Sequence, residues 1–322
     1  MKKSFQTVFR FLLMFFSIAL VVAILAVIVG SAYLVKLYSS EDVNDIVALA
    51  GNNGEASQLY AYDENGVLVE YARGELSSGR TNDYAAIDEI PKDLQNAFIA
   101  IEDKRFYSHI GFDLITTVKA TWKYITSDGS SPGGSTITQQ LIKNLTGEDD
   151  ISVKRKLSEI IRAIKIERQM SKESILELYL NSIYLSQGTY GVKAAAKLYF
   201  NKDVSELSLI ESVAIAAITQ APTKWDPVQN PENNQRRRNV ILTQMLEQGY
   251  IGKTEYDTAF NQPLELNLNY EKSDINTSSW YTDAVINETV QLLSESLGVS
   301  TKVATQYLYN GGYRITVAVN PK

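Results

Sequence analysis

The chain has 322 residues, 45% of them apolar, a formal charge of −6 at neutral pH, no cysteine and one histidine. That length and apolar content suffice for one large or two modest packed domains, and the negative charge argues against a general nucleic-acid binder. Without thiols there are no disulfides or thiolate metal centres, and a single histidine excludes a multi-histidine zinc site, so any metal must be a hard, oxygen-liganded ion.

Residues 11–35 run without a charge for 25 residues, against the ~20 needed to cross ~30 Å of hydrocarbon. A cleaved signal peptide has a shorter apolar core and a small-x-small cleavage site, so the span over 11–37 reads as a retained signal anchor. Lys2, Lys3 and Arg10 precede it and only Lys36 follows closely. The positive-inside rule therefore places residues 1–10 in the cytoplasm and everything after about Tyr38 on the outer face of the membrane. Residues 38–74 read as a tether followed by a hairpin, since two β-prone runs, Gln58-Leu59-Tyr60-Ala61-Tyr62 and Val67-Leu68-Val69-Glu70-Tyr71, flank an Asn65-Gly66 turn. Residues 312–319 are another strand candidate. A lone hairpin is marginal in water, so these strands are expected to share one small sheet.

From Ile90 the pattern turns helical. Pro91 suits a first helical position, and Leu94, Ala97, Phe98 and Ile101 recur at helical spacing. Residues 113–125 are amphipathic, with Leu114, Val118, Trp122 and Ile125 on one face. That stripe reads as core packing, or as a membrane-contacting face for which Trp122 and Tyr124 are suited. Residues 127–134 form a Gly/Ser-rich loop. The basic segment 153–170 is expected to turn Val153, Leu157, Ile160, Ile161 and Ile164 inward. Its Arg155, Glu159 and Arg162 are aligned in one column. Ser171 can cap the following helix, whose buried face is Ile175, Leu176, Tyr179, Leu180 and Ile183. Residues 207–221, apolar with Glu211 inside, are short for a second span and read as a core helix.

Five stretches carry a resemblance: Glu-Asp-x-x-Phe-x-x-His-x-Gly (102–111), Gly-Gly-Ser-Thr-Ile-Thr-Gln-Gln (133–140), Arg-Lys-x-x-Glu (155–159), Lys-x-x-Ile-Leu-Glu-x-Tyr-Leu-Asn (172–181) and Arg-Arg-Asn-x-Ile-Leu (237–242). In this order they resemble the motifs of the peptidoglycan glycosyltransferases, family 51 of the glycosyltransferases, found in class A penicillin-binding proteins. One such motif is weak; five in sequence over roughly residues 75–250 are specific. The chain contains no Ser-x-x-Lys and no Lys-Thr-Gly, the signatures of an acyl-serine transpeptidase. Residues 251–322 are therefore expected to be a linker toward such a domain.

The resemblance implies a mainly α, lysozyme-like glycosyltransferase domain over 75–250 with a smaller membrane-proximal lobe. It implies a lipid-linked disaccharide-pentapeptide, lipid II, and a growing glycan strand as substrates, transferred with loss of a polyprenyl pyrophosphate at a bacterial cell membrane. Cell-wall synthesis proteins are further expected partners. The family's site residues carry over as Glu102, Asp103, Phe106, His109, Gly111, Ser135, Thr136, Gln139, Gln140, Lys143, Arg155, Lys156 and Glu159.

The residue types suit that chemistry. A sugar hydroxyl attacks only with help from a base, for which Glu102, against an apolar and aromatic wall, is the candidate. An anionic leaving group needs fixed cations, which Lys143, Arg155 and Lys156 supply. Inversion by direct displacement through an oxocarbenium-like state suits two separated carboxylates, and Glu159 is the second. Glu159 could instead bind a divalent cation, expected to be Mg²⁺, or orient the basic cluster. Asp103 could hold its loop or raise the proton affinity of Glu102. Ser135 and Thr136 could cap a helix, touch substrate, or both, while Gln139 and Gln140 suit polar contacts to a sugar or phosphate. His109 reads as a hydrogen-bonded structural residue ahead of a catalyst, and Glu177 and Asn181 as braces. The competing readings are a lysozyme-like glycan hydrolase and a non-catalytic cell-wall scaffold. The first explains paired carboxylates but neither the basic cluster nor the anchor; against the second stand the intact carboxylates.

Overall fold

A computed structural model of the protein describes residues 2–51, 57–75, 84–126, 133–147, 152–269 and 280–318. The N-terminal apolar run forms one long helix, α1 (Lys2–Ser40). Its stretch Leu12–Ser40 is long and apolar enough to cross a membrane, and among the described residues none buries its most apolar window. Burial begins only at its end, with Leu37. A helix that is apolar all round and unpacked is suited to lipid. A short helix α2 (Asn44–Gly51) follows, then β1 (Gln58–Tyr62) and β2 (Leu68–Glu75), paired antiparallel. The hairpin forms where Asn-Gly predicts it. Asp63 Oδ1 accepts from the backbone N–H of Asn65 and Val67, each at 2.8 Å, and Gly66 takes φ +75°.

The helical domain comprises α3 (Lys92–Glu102), α4 (Leu114–Thr126), α5 (Ile137–Thr146), α6 (Val153–Gln169), α7 (Lys172–Ser182), α8 (Val192–Phe200), α9 (Leu209–Ala217), α10 (Pro222–Trp225), α11 (Pro231–Glu247) and α12 (Lys253–Asn261). Pro91 is the N-cap of α3 rather than its first residue, because its ψ of 141° keeps it extended. At the centre lies α9, buried from Ile210 to Ala217 and packed against α3 and α11. Glu211 is tolerated there because it closes a capping box with Ser208 and accepts from Lys202 at 2.7 Å. The predicted buried face of α7 is observed in full, with Tyr179 edge-on to Phe98 at 6.0 Å. Each such large side chain contributes ~1.5–3 kcal/mol on burial.

Two expectations for amphipathic faces are corrected. In α6 the inward side is Ser158, Glu159, Ile161, Ala163 and Ile166, whereas Val153 is 79% exposed. The inward face is centred on Glu159, which pairs with Arg155 and Lys156 of the same helix. In α4, Leu114, Ile115 and Val118 are 61%, 54% and 57% exposed, so this part of the stripe is not core. The side chains of Trp122, Tyr124 and Ile125, and the loop 127–132, lie outside the described residues.

The last described elements are α13 (Trp280–Leu297), α14 (Thr301–Asn310) and β3 (Arg314–Val317). Strand β3 runs parallel to β1, from Gln58↔Arg314 to Ala61↔Val317, giving a sheet of order β2-β1-β3. A small second core of Leu59, Ala61, Val290, Ala304, Leu308 and Val317 seals this sheet against α13 and α14. Tyr307 of α14 donates to the carbonyl of Asp45 at 3.0 Å, tying the far end of the chain to α2.

Candidate active site

Helix α3 ends by splaying two adjacent acids. Asp103, its C-cap, leaves helical geometry at φ −154° and ψ 70° while its N–H still bonds the Ile99 carbonyl. The two side chains then serve different partners. Asp103 is 6% exposed and accepts from the Ile137 N–H, at the start of α5, at 3.0 Å, and from His109 Nε2 at 2.8 Å. A carboxylate at a helix N-terminus is stabilised by the unpaired N–H groups and the helix dipole. Asp103 thus holds the loop to α5.

His109 sits among charges. Its Nδ1 faces Glu167 Oε1 at 3.5 Å, with Lys172 Nζ at 3.4 Å and the Gly111 backbone nitrogen at 3.2 Å. Burial acts to lower the imidazole, but the hydrogen bonds to Asp103 and Glu167 outweigh it and raise the pKa to about 9. Burial would raise Glu167, yet His109, Lys172 and Thr138 bond its carboxylate and hold it below the usual range. Lys172 also lies 4.5 Å over the buried Phe106 ring. Phe106 and His109 therefore support the turn from beneath, as the structural reading of His109 expects.

The turn from 103 to 113 is fixed at both ends. Arg105 donates twice to Asp113, at 2.8 and 2.6 Å, and once to Thr116. Burial works against the Asp113 carboxylate, but bonds from Thr116 and Arg105 dominate and hold it down at about 2. Gly111 has φ +102°, and a Cβ there would lie 2.5 Å from the Ala163 backbone of α6. No other residue fits this contact. The Gly111 carbonyl accepts from Thr136 Oγ1 at 2.7 Å, and Thr136 forms a reciprocal capping box with Gln139 at the start of α5. Thr136 and Gln139 thereby cap α5, and Thr136 also lines the cleft.

Glu102 looks the other way, and polar groups rather than an aromatic wall hold it. Gln140 Nε2 donates to Oε2 at 2.9 Å, Thr219 Oγ1 donates to Oε1 at 2.6 Å, and Arg237 Nη2 stands 3.8 Å from Oε1. Tyr179 donates to Gln140 Oε1 at 3.1 Å, which fixes which end of the amide faces Glu102. Burial lowers Arg237 and the neighbouring Glu102 partly restores it.

The second acid, Glu159, is 6% exposed and carries a cation on each oxygen: Arg155 at 2.6 Å and Lys156. Lys156 also donates to Ser135 at 2.9 Å, joining α6 to the second motif. Arg162 leaves the expected column and pairs with Glu41, just after the anchor. Lys143 lies exposed on α5, a turn beyond Gln139 and Gln140.

An open cleft of about 260 Å³ collects Glu102, Asp103, Gly133, Gly134, Ser135 and Thr136, with Val240 and Gln244 of α11 on its other wall. The structure thus brings Glu102 and Ser135 to one cavity and reaches Lys156, Arg155 and Glu159 through Ser135. It places Phe106, His109 and Gln139 behind the cavity as supports. Glu159 does not fit a metal ligand: both its oxygens are engaged by cations, and no group of three or more His, Asp or Glu side chains suited to an ion occurs among the described residues. Sequence reasoning missed Thr219, Val240, Gln244 and the role of Glu167. Thr219 sits in an apolar run where no pattern marks it. Arg237 falls within the fifth motif, which gave it no role.

The domain is mostly helical, with one clamped carboxylate in a cleft, cations on α6 linked to that cleft through Ser135, and a helix of membrane-crossing length ahead of it. The family profile described as Transglycosylase matches residues 69–246, more than half the chain, and the chain belongs to that family. It is 41% identical over 237 residues to penicillin-binding protein 1F of Bacillus subtilis (strain 168), covering 74% of this chain and 32% of that protein. It is 48% identical over 181 residues to penicillin-binding protein 1A of Aquifex aeolicus (strain VF5), covering 56% of this chain and 25% of that protein. A crystal structure of penicillin-binding protein 1A from Haemophilus influenzae aligns with 81% of this chain and 26% of its own at 23% identity and a TM-score of 0.36, too distant for structural inference. The chain spans 32%, 25% and 38% of the lengths of three of its curated relatives.

Proposed function

We propose that this chain is a membrane-anchored peptidoglycan glycosyltransferase that polymerises lipid II into glycan strands with inversion, Glu102 acting as general base. The observation that carries this reading is the two-sided clamp on Glu102 at the edge of an open cleft. A carboxylate held by donors on both oxygens keeps its remaining lone pairs directed at one place, which is what a positioned base requires. The acceptor 4-hydroxyl loses its proton to Glu102 as its oxygen bonds the donor's anomeric carbon. The bond from that carbon to the pyrophosphate oxygen breaks, and its electron pair leaves with the polyprenyl pyrophosphate. Lys156 and Arg155, held in place by Glu159, are the cations for that developing charge, and Ser135 links them to the cleft. Glu159 is in this reading a positioning residue that holds Arg155 and Lys156. The helix α1 is the anchor, with its N-terminus in the cytoplasm and the domain outside.

The test is incubation of the purified full chain in detergent with labelled lipid II and Mg²⁺, followed by sizing of the products. Polymer is expected. Short fragments from added glycan would make the protein a hydrolase, and no product of either kind would make it a non-catalytic wall-binding module.

A further inference from the structure

A second cleft, of about 270 Å³, opens where the anchor meets the domain. Tyr38, Asp42, Asn44, Lys165 and Arg168 are among its lining residues. Tyr38 lies in the last turn of the membrane-length stretch Leu12–Ser40, the level at which tyrosine rings sit among lipid headgroups. Lys165 Nζ stands 4.4 Å over that ring, and Arg168 donates to the Tyr38 hydroxyl at 3.0 Å. The ring therefore gathers two cations at one height. Glu41, whose backbone carbonyl accepts from Lys165, gives its carboxylate to Arg162 instead. Among the described residues neither Lys165 nor Arg168 forms an ion pair within 4.0 Å, so both keep donors for an anion. Asp42, also in the lining, is held below its usual range chiefly by the Asn44 N–H and remains an acceptor.

We propose that this cleft binds the headgroup of an anionic glycerophospholipid, its phosphate on Lys165 and Arg168 and its hydroxyls donating to Asp42. The proposal rests on reading α1 as a membrane span. Two cations and one carboxylate leave the lining one positive charge in excess, which complements a singly charged headgroup bearing hydroxyl donors. A choline headgroup offers Asp42 no donor and brings its own cation. The bound lipid would fill the joint between the anchor and α6 and set the height of the domain above the bilayer. If Lys165 and Arg168 served only to offset the carbonyl end of α6, they would affect stability without selecting a lipid.

The test reconstitutes the full chain into nanodiscs of equal phosphatidylglycerol and phosphatidylcholine and counts retained lipids by native mass spectrometry. One retained phosphatidylglycerol is expected. Lys165→Gln with Arg168→Gln should lower the preference about thirtyfold, the effect of two basic side chains at a membrane surface. Lys197→Gln with Lys253→Gln, which removes the same charge from exposed positions elsewhere, should leave it intact. If the first pair does not fold, Arg168→Gln alone should lower it about fivefold. Equal losses in both pairs, or no preference in the native chain, would overturn the site in favour of diffuse surface charge. So would inorganic phosphate displacing the lipid, which would reassign the cleft to a soluble anion. Failure of the chain to enter nanodiscs at all would overturn the membrane reading itself, a separate result.

Discussion

Glu102 and Thr219 illustrate how much a site depends on single atoms. Glu102→Gln keeps the shape of the side chain but removes the base, so lipid II polymerisation should fall ~10²–10⁴-fold with the melting temperature nearly unchanged. Retention of a tenth of native activity would remove Glu102 from that role. Thr219→Val deletes one donor to the Glu102 carboxylate; a hydrogen bond to a charged group contributes ~1.5–3 kcal/mol. We expect kcat to fall ~10–100-fold with KM little changed, and Thr219→Ser to restore most of it. An equal loss in the serine variant would mean that packing, not the hydroxyl, matters. His109 makes a prediction about pH. Its folded pKa of about 9 lies above the ~6.5 of an unfolded chain. Its stabilisation is therefore complete below about pH 6.5 and lost as pH rises through 9. Denaturant midpoints compared at pH 6.5 and 9.5 should show that decline in the native chain and a flatter profile in His109→Gln.

At the scale of elements, the described part of α4 carries a run of exposed apolar side chains. Leu114, Ile115 and Val118 are side by side and more than half exposed, and a substrate with a polyprenyl tail costs ~0.8 kcal/mol per CH₂ drawn out of the bilayer. Leu114→Glu with Val118→Glu should slow turnover of lipid II presented in vesicles and spare turnover of a water-soluble short-chain analogue. Equal slowing of both would place the face in the fold rather than at the membrane. The sequence announced this helix by its period but not which way it faces, because core and membrane faces are both apolar. The same limit explains α6. Its period was legible, but which side of it faces inward is tied to contacts outside the helix, such as that of Lys156 with Ser135, 21 residues away. By contrast α7, with a serine cap and an uninterrupted apolar stripe, and the hairpin, with its Asn-Gly turn, were readable because their determinants are local. The motif residues were legible as a set, but their division of labour was not. That Asp103 points back at α5 while Glu102 points into the cleft follows from a single extended φ at the helix end.

For the molecule as a whole, the sheet is the joint that matters. Strand β1 is flanked by β2, its neighbour in sequence, and by β3, from the far end of the described chain. Ile315→Pro should break the parallel pairing and leave one edge of β1 unpaired. Hydrogen exchange at 58–62 should then quicken while amides of α3 and α9 stay protected. Uniform quickening would show that the sheet and the helical domain unfold as one. The same joint carries a timetable. A ribosome adding ~5–20 residues per second completes β3 roughly 12–50 seconds after β1, because some 250 residues separate the two strands. Throughout that interval the anchor and hairpin are made, the helices can pack, and β1 waits with an open edge. The sheet therefore closes only after most of the described chain has been made, and any chaperone that shields nascent strands has a long task at Gln58–Tyr62.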